Sequence, residues 1–240
     1  SELYSPGGNP MFVFAPSLEH YIHLLTATEF PSWTKNTMLI SIVSTFLSLL
    51  FGVPAGYALA RLRFRGAGFI GLAVFATSLV PTSLLFIPML QVVKTLRLQD
   101  NVWSLVLIYP TFLMPFCTWL MMGFFKTVPM EMEEAARVDG CGQLSALVRV
   151  VLPVSLPGIL TSVIFAFTLS MQDFLYGLAF VAPGDQKPVP VGVPTELIRG
   201  DVYYWGSLMG AALLVGLPVA VLYNFFLDRF IQGITGGVGK

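Results

Sequence analysis

Five long stretches of this 240-residue chain contain no charged residue, and each holds 23 to 28 residues. An α-helix needs roughly 20 residues to cross about 30 Å of hydrocarbon. Only 11% of the chain is charged and its mean hydropathy is +0.78, whereas a soluble domain has about 25% charged residues. The apolar residues show no strict alternation typical of strands. We therefore predict an all-α integral membrane protein whose five spans lie within residues 36–60, 66–93, 101–125, 150–172 and 202–227.

The segment after the first span predicts the orientation. Arg61, Arg63 and Arg65 lie within five residues, and such basic loops are retained in the cytoplasm. Residues 1–35 then lie outside, and because they show no signal-peptide pattern we expect a preceding span and six spans in the complete protein. The predicted organisation is an external segment 1–35, one transmembrane domain 36–228 with a cytoplasmic loop 126–153, and a cytoplasmic tail 229–240.

Charge and composition exclude several classes of function. The 13 basic residues balance 13 acidic ones, so no basic surface for nucleic acid is expected. Two cysteines make neither a disulfide framework nor a metal cluster. His20 and His23 share a helical face, but an amphipathic helix on the outer membrane surface is favoured over a metal site. The chain also lacks catalytic motifs, so we predict a protein that is not an enzyme and binds no cofactor.

The loop between the third and fourth spans is patterned as two short helices. Pro129 can begin the first helix, acidic residues from Glu131 favour its N-terminal turns, and Gly140 ends it. A second helix begins near Gln143 and is broken by prolines before the fourth span. An amphipathic pair lying on the membrane surface is the structural alternative.

This loop carries a family resemblance. Glu134-Ala135-Ala136 is followed after two residues by Asp139-Gly140, and nine residues later by Val150-Val151-Leu152-Pro153. The pattern resembles the EAA motif of permeases of ABC importers, with Val150 in place of the family's isoleucine. The resemblance implies that the loop docks in a groove of an ATPase subunit. The docking residues that it implies are Glu134, Ala135, Ala136, Asp139, Gly140, Leu144 and Pro153.

The resemblance implies a type I ABC importer transmembrane domain in the bacterial inner membrane. Its expected partners are a homologous second permease, two ATPase subunits that hold ATP and magnesium, an extracytoplasmic solute-binding protein and membrane lipid. The chain is similar in particular to the second permease of maltose-type systems, which suggests a sugar, sugar derivative or polyol as solute. The segment 57–66 and the glycine-rich tail 233–240 support this placement. The tail lacks the residues of a phosphate-binding loop.

The end of the fourth span holds the predicted substrate pathway, formed by Met171, Gln172, Asp173 and Phe174. Met171 and Gln172 stand where the family usually has Trp and Asn, which removes an aromatic platform suited to sugars. A carboxylate here must face water or a partner. Asp173 either lines the pathway or serves structurally, by capping a helix end or pairing with Arg199.

The outer loop 181–206 is long and rich in proline. By resemblance it touches the binding protein, and Pro190, Val191 and Gly192 are the predicted contacts. Within the spans we expect kinks that shape the pathway at Pro81, Pro88, Pro110 and Pro115, although ordinary packing kinks are an alternative. The pairs Gly52 and Gly56, and Gly206 and Gly210, have the spacing of helix contacts.

Two other classes of function remain as alternatives. A secondary transporter of a small polar solute would usually show internal repeats and several intramembrane carboxylates, whereas this chain shows no repeat and only Asp173 near the membrane. An intramembrane enzyme ranks third because no catalytic residues are visible.

Overall fold

A computed structural model describes residues 17–62, 64–199 and 202–235. Residues 1–16 of the predicted external segment and residues 236–240 of the predicted tail lie outside the described residues. The helices in chain order are α1 (Glu19–Thr26), α2 (Phe30–Arg61), α3 (Ala67–Ser78), a 3₁₀ turn (Thr82–Leu85), α4 (Phe86–Thr95), α5 (Val102–Thr127), α6 (Met130–Val138), α7 (Gln143–Ala146), a π-helical turn (Leu147–Val151), α8 (Leu152–Val154), α9 (Leu156–Met171), α10 (Leu175–Phe180), a 3₁₀ turn (Gly184–Gln186), α11 (Val189–Leu197) and α12 (Trp205–Thr235). A two-stranded antiparallel hairpin, β1 (Ile198–Arg199) and β2 (Val202–Tyr203), separates α11 from α12.

Among the described residues, α2 and α5 are each long and apolar enough to cross a membrane alone. Two further apolar segments are bent pairs, α3 with the 3₁₀ turn and α4 at 88°, and residues Gln143–Val154 with α9 at 77°. If each pair is one span, the number rises to four, and α12 contributes the shorter apolar stretch Trp205–Val221. The five-span count therefore stays a prediction. The first bend lies at Pro81, which lacks the N–H that would continue α3.

The pairing of α2 with α5 is the centre of the fold. The two helices run parallel, because Ser44 lies near Val106 while Tyr57 packs on Phe125. The α2 face that meets α5 is built from small residues, and a Cβ atom at Gly56 would lie 2.9 Å from the Thr118 carbonyl oxygen. Small residues permit such close approach in membrane proteins. The predicted contact role of the Gly52 and Gly56 pair is confirmed. The small residues of α2 that contact α5 include Ser44, Gly52 and Gly56.

The remaining long helices alternate in direction around this pair. In α9, Gly158 packs against Phe124 near the last residues of α5, whereas Asp173, just after α9, bonds to Tyr109 near the middle. Thus α9 runs opposite to α5. The first turn of α12 lies beside α1, since Gly206 meets His20, and the Tyr223 hydroxyl further along α12 donates to the Ile164 carbonyl in the middle of α9 at 3.4 Å. The direction of α12 is therefore opposite to that of α9. We call the two ends of this bundle the Phe30 end and the Arg61 end, after the limits of α2.

The predicted outer helix around His20 is α1, and it packs on α12. The His20 ring lies directly over Gly206, and Leu24 and Tyr21 lie over Gly210, so the contact role of this second glycine pair is also confirmed. Leu24 is fully buried, whereas Leu18 and Ile22 are exposed. Within the described residues, no group of three or more His, Cys, Asp or Glu side chains could hold a metal ion.

Candidate functional site

The loop at the Arg61 end folds into the two predicted helices. Pro129 directly precedes α6, whose first turn carries Glu131 and Glu133. The helix ends at Val138, and Gly140 adopts a φ of +89°, a left-handed conformation that glycine accepts without strain. The second helix begins at Gln143, and the chain bends by 77° between Val154 and Leu156. These placements confirm the helix boundaries that the prolines and glycine predict.

This loop presents an exposed surface that mixes apolar side chains with acidic ones and with the basic Arg137 and Arg149. The most exposed apolar members are Val138 at 88% and Leu144 at 77%. We give the name loop surface to nine of these exposed residues: Met132, Glu134, Ala135, Val138, Asp139, Gly140, Leu144, Val148 and Pro153. A helix of a soluble protein would bury such apolar side chains against its own core. The arrangement suits a docking partner.

Ala136 does not belong to this surface. It is buried in the chain, as is Glu133 one turn earlier. Because Glu133 and Ala136 lie three positions apart along α6, both side chains turn toward the rest of the chain. The docking role of Ala136 stays a prediction, and in this arrangement its side chain is covered. The other six predicted docking residues are exposed.

Sequence reasoning missed a polar cluster directly beneath α6. The Tyr57 hydroxyl donates to Glu133 Oε1 at 2.5 Å, and Arg61 Nε lies 3.6 Å from Glu133 Oε2. Arg61 also donates from Nη2 to the Val128 carbonyl oxygen at 2.6 Å. We call Tyr57, Arg61 and Glu133 the Glu133 cluster. The one available signal was the spacing of Tyr57 and Arg61, which places a hydroxyl and a cation on one helical face.

Asp173 lies in a polar junction away from the loop surface. Its Oδ2 atom accepts a hydrogen bond from the Tyr109 hydroxyl at 3.0 Å and from the backbone N–H of Tyr176 at 3.1 Å, with Gly177 N–H at 3.4 Å. The carboxylate therefore caps the beginning of α10, which is the first of the two structural roles considered for it. The side chain of Arg199, the other considered partner, lies outside the described residues.

The neighbours of Asp173 differ in accessibility. Gln172 and Phe174 are exposed, and Met171 is half-buried. Whether these residues line a solute pathway is untested and stays a prediction. Of the prolines expected to shape such a pathway, Pro81 marks the break after α3, whereas Pro110 and Pro115 lie inside the continuous helix α5.

Replacing Asp173 by Leu is expected to destabilise the protein. Tyr109 is buried, so its hydroxyl would lose its acceptor, and an unsatisfied buried polar group costs about 1 to 3 kcal/mol. Asp173→Asn keeps an acceptor oxygen and is expected to cost less than about 1 kcal/mol. Denaturation in detergent would measure both, with Tyr109→Phe as the control that removes the donor. Equal stability of the Leu and Asn variants would contradict the capping role.

The predicted outer loop 181–206, which we call the outer segment, is anchored to the Phe30 end through its backbone. Trp33 Nε1 donates to the Gly184 carbonyl at 2.8 Å, and Asn36 Nδ2 donates to the Asp185 carbonyl at 2.7 Å. The Val189 N–H donates to Thr37 Oγ1 at 2.8 Å. These three side chains belong to α2, so the first turns of that helix hold the segment in place.

This anchoring buries residues that were expected to face a binding protein. Val191 is fully buried, Gly192 lies against the Trp33 ring, and Pro190 is half-buried. In this arrangement neither position faces outward, because α11 turns Val191 toward Gly177 of α10 and Gly192 toward Trp33 of α2. The exposed positions of the segment include Asp185 and Thr195.

Comparison with known proteins places this architecture. Residues 52–236 match the family model described as "Binding-protein-dependent transport system inner membrane component". The chain is 33% identical over 227 residues to the sulfoquinovosyl glycerol transport system permease protein SmoH of Agrobacterium fabrum, covering 94% of this chain and 79% of that protein. It is 25% identical over 236 residues to the trehalose/maltose transport system permease protein MalG of Thermococcus litoralis, covering 97% and 84%.

A solved structure supports the fold. A chain of a bacterial ABC transporter involved in the import of the acidic polysaccharide alginate matches with a TM-score of 0.75 at 21% identity. The match covers 88% of this chain and 79% of that one. At this identity the likeness concerns the arrangement of helices, which is that of a type I importer permease.

Proposed function

Because this chain belongs to the family of binding-protein-dependent transport system inner membrane components, we propose that it is a permease subunit of an ATP-driven importer for a sugar, sugar derivative or polyol. It is a transport component of the inner membrane and not an enzyme. The proposed assembly adds a homologous second permease, two ATPase subunits and an external binding protein. ATP and magnesium bind to the ATPase subunits in this assembly.

The loop surface is the observation that carries the ATPase part of the proposal. The outward face of α6 carries a small side chain at Ala135. Beside it lie apolar side chains, such as that of Val138, that are among the most exposed of the described residues. A small residue on an exposed helix face permits close approach of a partner. The loop surface is therefore suited to insertion into a groove of a soluble subunit.

The names of the relatives support the class of solute that we propose for this chain. The relatives cited above transport sulfoquinovosyl glycerol and trehalose or maltose by their names. All of these solutes bear many hydroxyl groups. In this chain the exposed amide of Gln172 offers donors and an acceptor for hydroxyls, and the exposed ring of Phe174 offers an apolar face for a sugar ring.

The proposed mechanism is a shift between two arrangements of the permease pair. Arg61, Arg63 and Arg65, at and just after the end of α2, favour a cytoplasmic position for the Arg61 end. In this orientation the loop surface faces the ATPase subunits and the outer segment faces the binding protein. Closure of the ATPase dimer moves the loop surface, and the attached helices change from an inward-open to an outward-open arrangement. The free energy that drives this shift is the difference between the free energies of ATP binding to the two arrangements.

Reconstitution tests this function. The permease, the second permease and the ATPase encoded beside it would be assembled in proteoliposomes, and the ligand of the neighbouring binding protein identified by mass spectrometry. We expect uptake of that ligand only with binding protein outside and ATP inside. Uptake driven by an ion gradient without ATPase subunits would instead favour a secondary transporter.

Cysteine crosslinking tests the outer segment. A cysteine at Asp185, which is exposed, is expected to crosslink to a matched cysteine on the binding protein in the outward-open complex. Val191→Cys is the matched control, because its side chain is fully buried and should stay unreactive. The yield of crosslinked permease and binding protein would be measured on non-reducing gels. Equal crosslinking at the two positions would contradict the observed placement of α11.

A further inference from the structure

We propose that Glu133 is a positioning residue that attaches α6, which carries part of the loop surface, to the end of α2. Through this attachment, movement of the loop surface is transmitted to the transmembrane helices. The inference rests on the proposed function and concerns residues that lie beneath the loop surface. Tyr57 and Arg61 are the partners of Glu133 in this role.

The first step of the argument is that α6 has few apolar attachments of its own. Its buried side chains are Glu133 and Ala136, and the helix packs mainly on α7 and the π-helical turn. The direct side-chain path from α6 to α2 runs through the Tyr57 hydroxyl and the Arg61 guanidinium, which both meet the Glu133 carboxylate. Movement of α6 is therefore transmitted to α2 through polar contacts.

The second step is that these contacts are shielded from solvent and that one of them, from Tyr57, is a directional hydrogen bond. The side chains of Arg61 and Glu133 are 7% and 5% exposed. A buried ion pair adds little net stability compared with apolar packing, because both charges lose their hydration. The hydrogen bond from the Tyr57 hydroxyl to the Glu133 carboxylate does, however, fix one orientation of α6 relative to α2. Orientation, more than stability, is thus the property that the Glu133 cluster supplies.

The third step concerns α5. Arg61 Nη2 donates to the Val128 carbonyl at 2.6 Å, and Nη1 contacts Met130 Sδ at 3.5 Å. Val128 follows the last residue of α5 and Met130 begins α6. One guanidinium therefore holds the ends of α2 and α5 and the start of α6. These three elements are fastened into a single unit at the Arg61 end.

The experiment compares four variants in the complete transporter reconstituted in proteoliposomes. Tyr57→Phe removes the hydrogen bond, Glu133→Ala removes the carboxylate, and Glu133→Gln keeps an acceptor for Tyr57. Glu131→Gln is the matched control, since Glu131 lies exposed on the same helix. The measurements are solute molecules taken up per ATP hydrolysed, and the spread of distances between spin labels at Arg137 and Leu50, which are exposed positions of α6 and α2 outside the loop surface.

We expect Tyr57→Phe and Glu133→Ala to assemble and hydrolyse ATP while the solute-to-ATP ratio falls about tenfold, the factor expected when a hydrogen bond to a charged group is lost from the coupling. The label distances should broaden in the same two variants. Glu133→Gln should restore part of both properties because its amide oxygen still accepts from Tyr57.

The proposal would be overturned if Tyr57→Phe and Glu133→Ala showed the same solute-to-ATP ratio and the same label distances as Glu131→Gln. Loss of assembly in all three cluster variants, with Gln no better than Ala, would also overturn it, because that pattern describes a merely structural contact. A wild-type complex without ATP-driven uptake would contradict the proposed function instead. The label distances need no transport, so they would still show whether the cluster fixes α6 on α2.

Discussion

Ala135→Arg is expected to leave the permease folded and inserted but to abolish ATP-driven uptake. Ala135 is exposed on α6, so the larger side chain meets no neighbour within this chain's core. In a groove of the ATPase subunit it would add volume and an unpaired charge. Burying an uncompensated charge costs about 3 kcal/mol or more, which is roughly a hundredfold in affinity. Co-purification of the ATPase subunit and uptake in proteoliposomes would measure the effect.

Ala27→Arg is the matched control for this prediction. Ala27 is an exposed alanine next to α1 at the Phe30 end, far from the loop surface. The control should retain the ATPase subunit and normal uptake. Retention of both properties by Ala135→Arg as well would remove α6 from the ATPase interface.

Gly56→Leu is expected to prevent α2 and α5 from packing. A Cβ atom at this position would lie 2.9 Å from the Thr118 carbonyl oxygen and 3.0 Å from the Met122 backbone nitrogen. Backbone atoms inside a helix cannot move aside as a side chain can, so the helices must separate. Overpacking of this kind costs about 3 kcal/mol or more. The yield of monodisperse protein in detergent and its resistance to denaturant would both fall.

Gly123→Leu provides the comparison on the partner helix. A Cβ atom at Gly123 would have no atom within 4 Å, and leucine is favoured over glycine in a helix by about 1 kcal/mol. This variant should be as stable as the wild type or slightly more stable. Similar losses in both variants would show that the close approach at Gly56 does not determine the stability of the helix pair.

The sequence predicted the helices well where a local pattern decides the outcome. Long uncharged runs located α2 and α5, and the positive φ of Gly140 confirms the predicted end of α6. A kink was predicted at Pro81, and the bend after α3 lies at that residue. Its size of 88° was not predicted, because hydropathy reports how apolar a segment is and contains no information about its direction.

Contacts between distant segments account for the other differences. Glu133 meets Tyr57, which lies 76 positions earlier in the chain, so no local spacing could show that this glutamate is buried while Glu134 beside it is exposed. By the family resemblance, Val191 was expected to contact the binding protein. Its side chain instead lies against Gly177 of α10, and the neighbouring Gly192 meets the Trp33 ring, which α2 supplies from the other half of the sequence.

The anchoring of the outer segment has an evolutionary consequence. Trp33 and Asn36 bind the carbonyl groups of Gly184 and Asp185, and Thr37 binds the N–H of Val189. Every residue type offers the same carbonyl, and every type except proline offers the N–H. Exposed side chains of the segment can therefore change through mutation without loosening its attachment. If this segment meets the binding protein, a lineage could adapt to a new solute receptor by surface mutations here while the scaffold beneath is inherited unaltered.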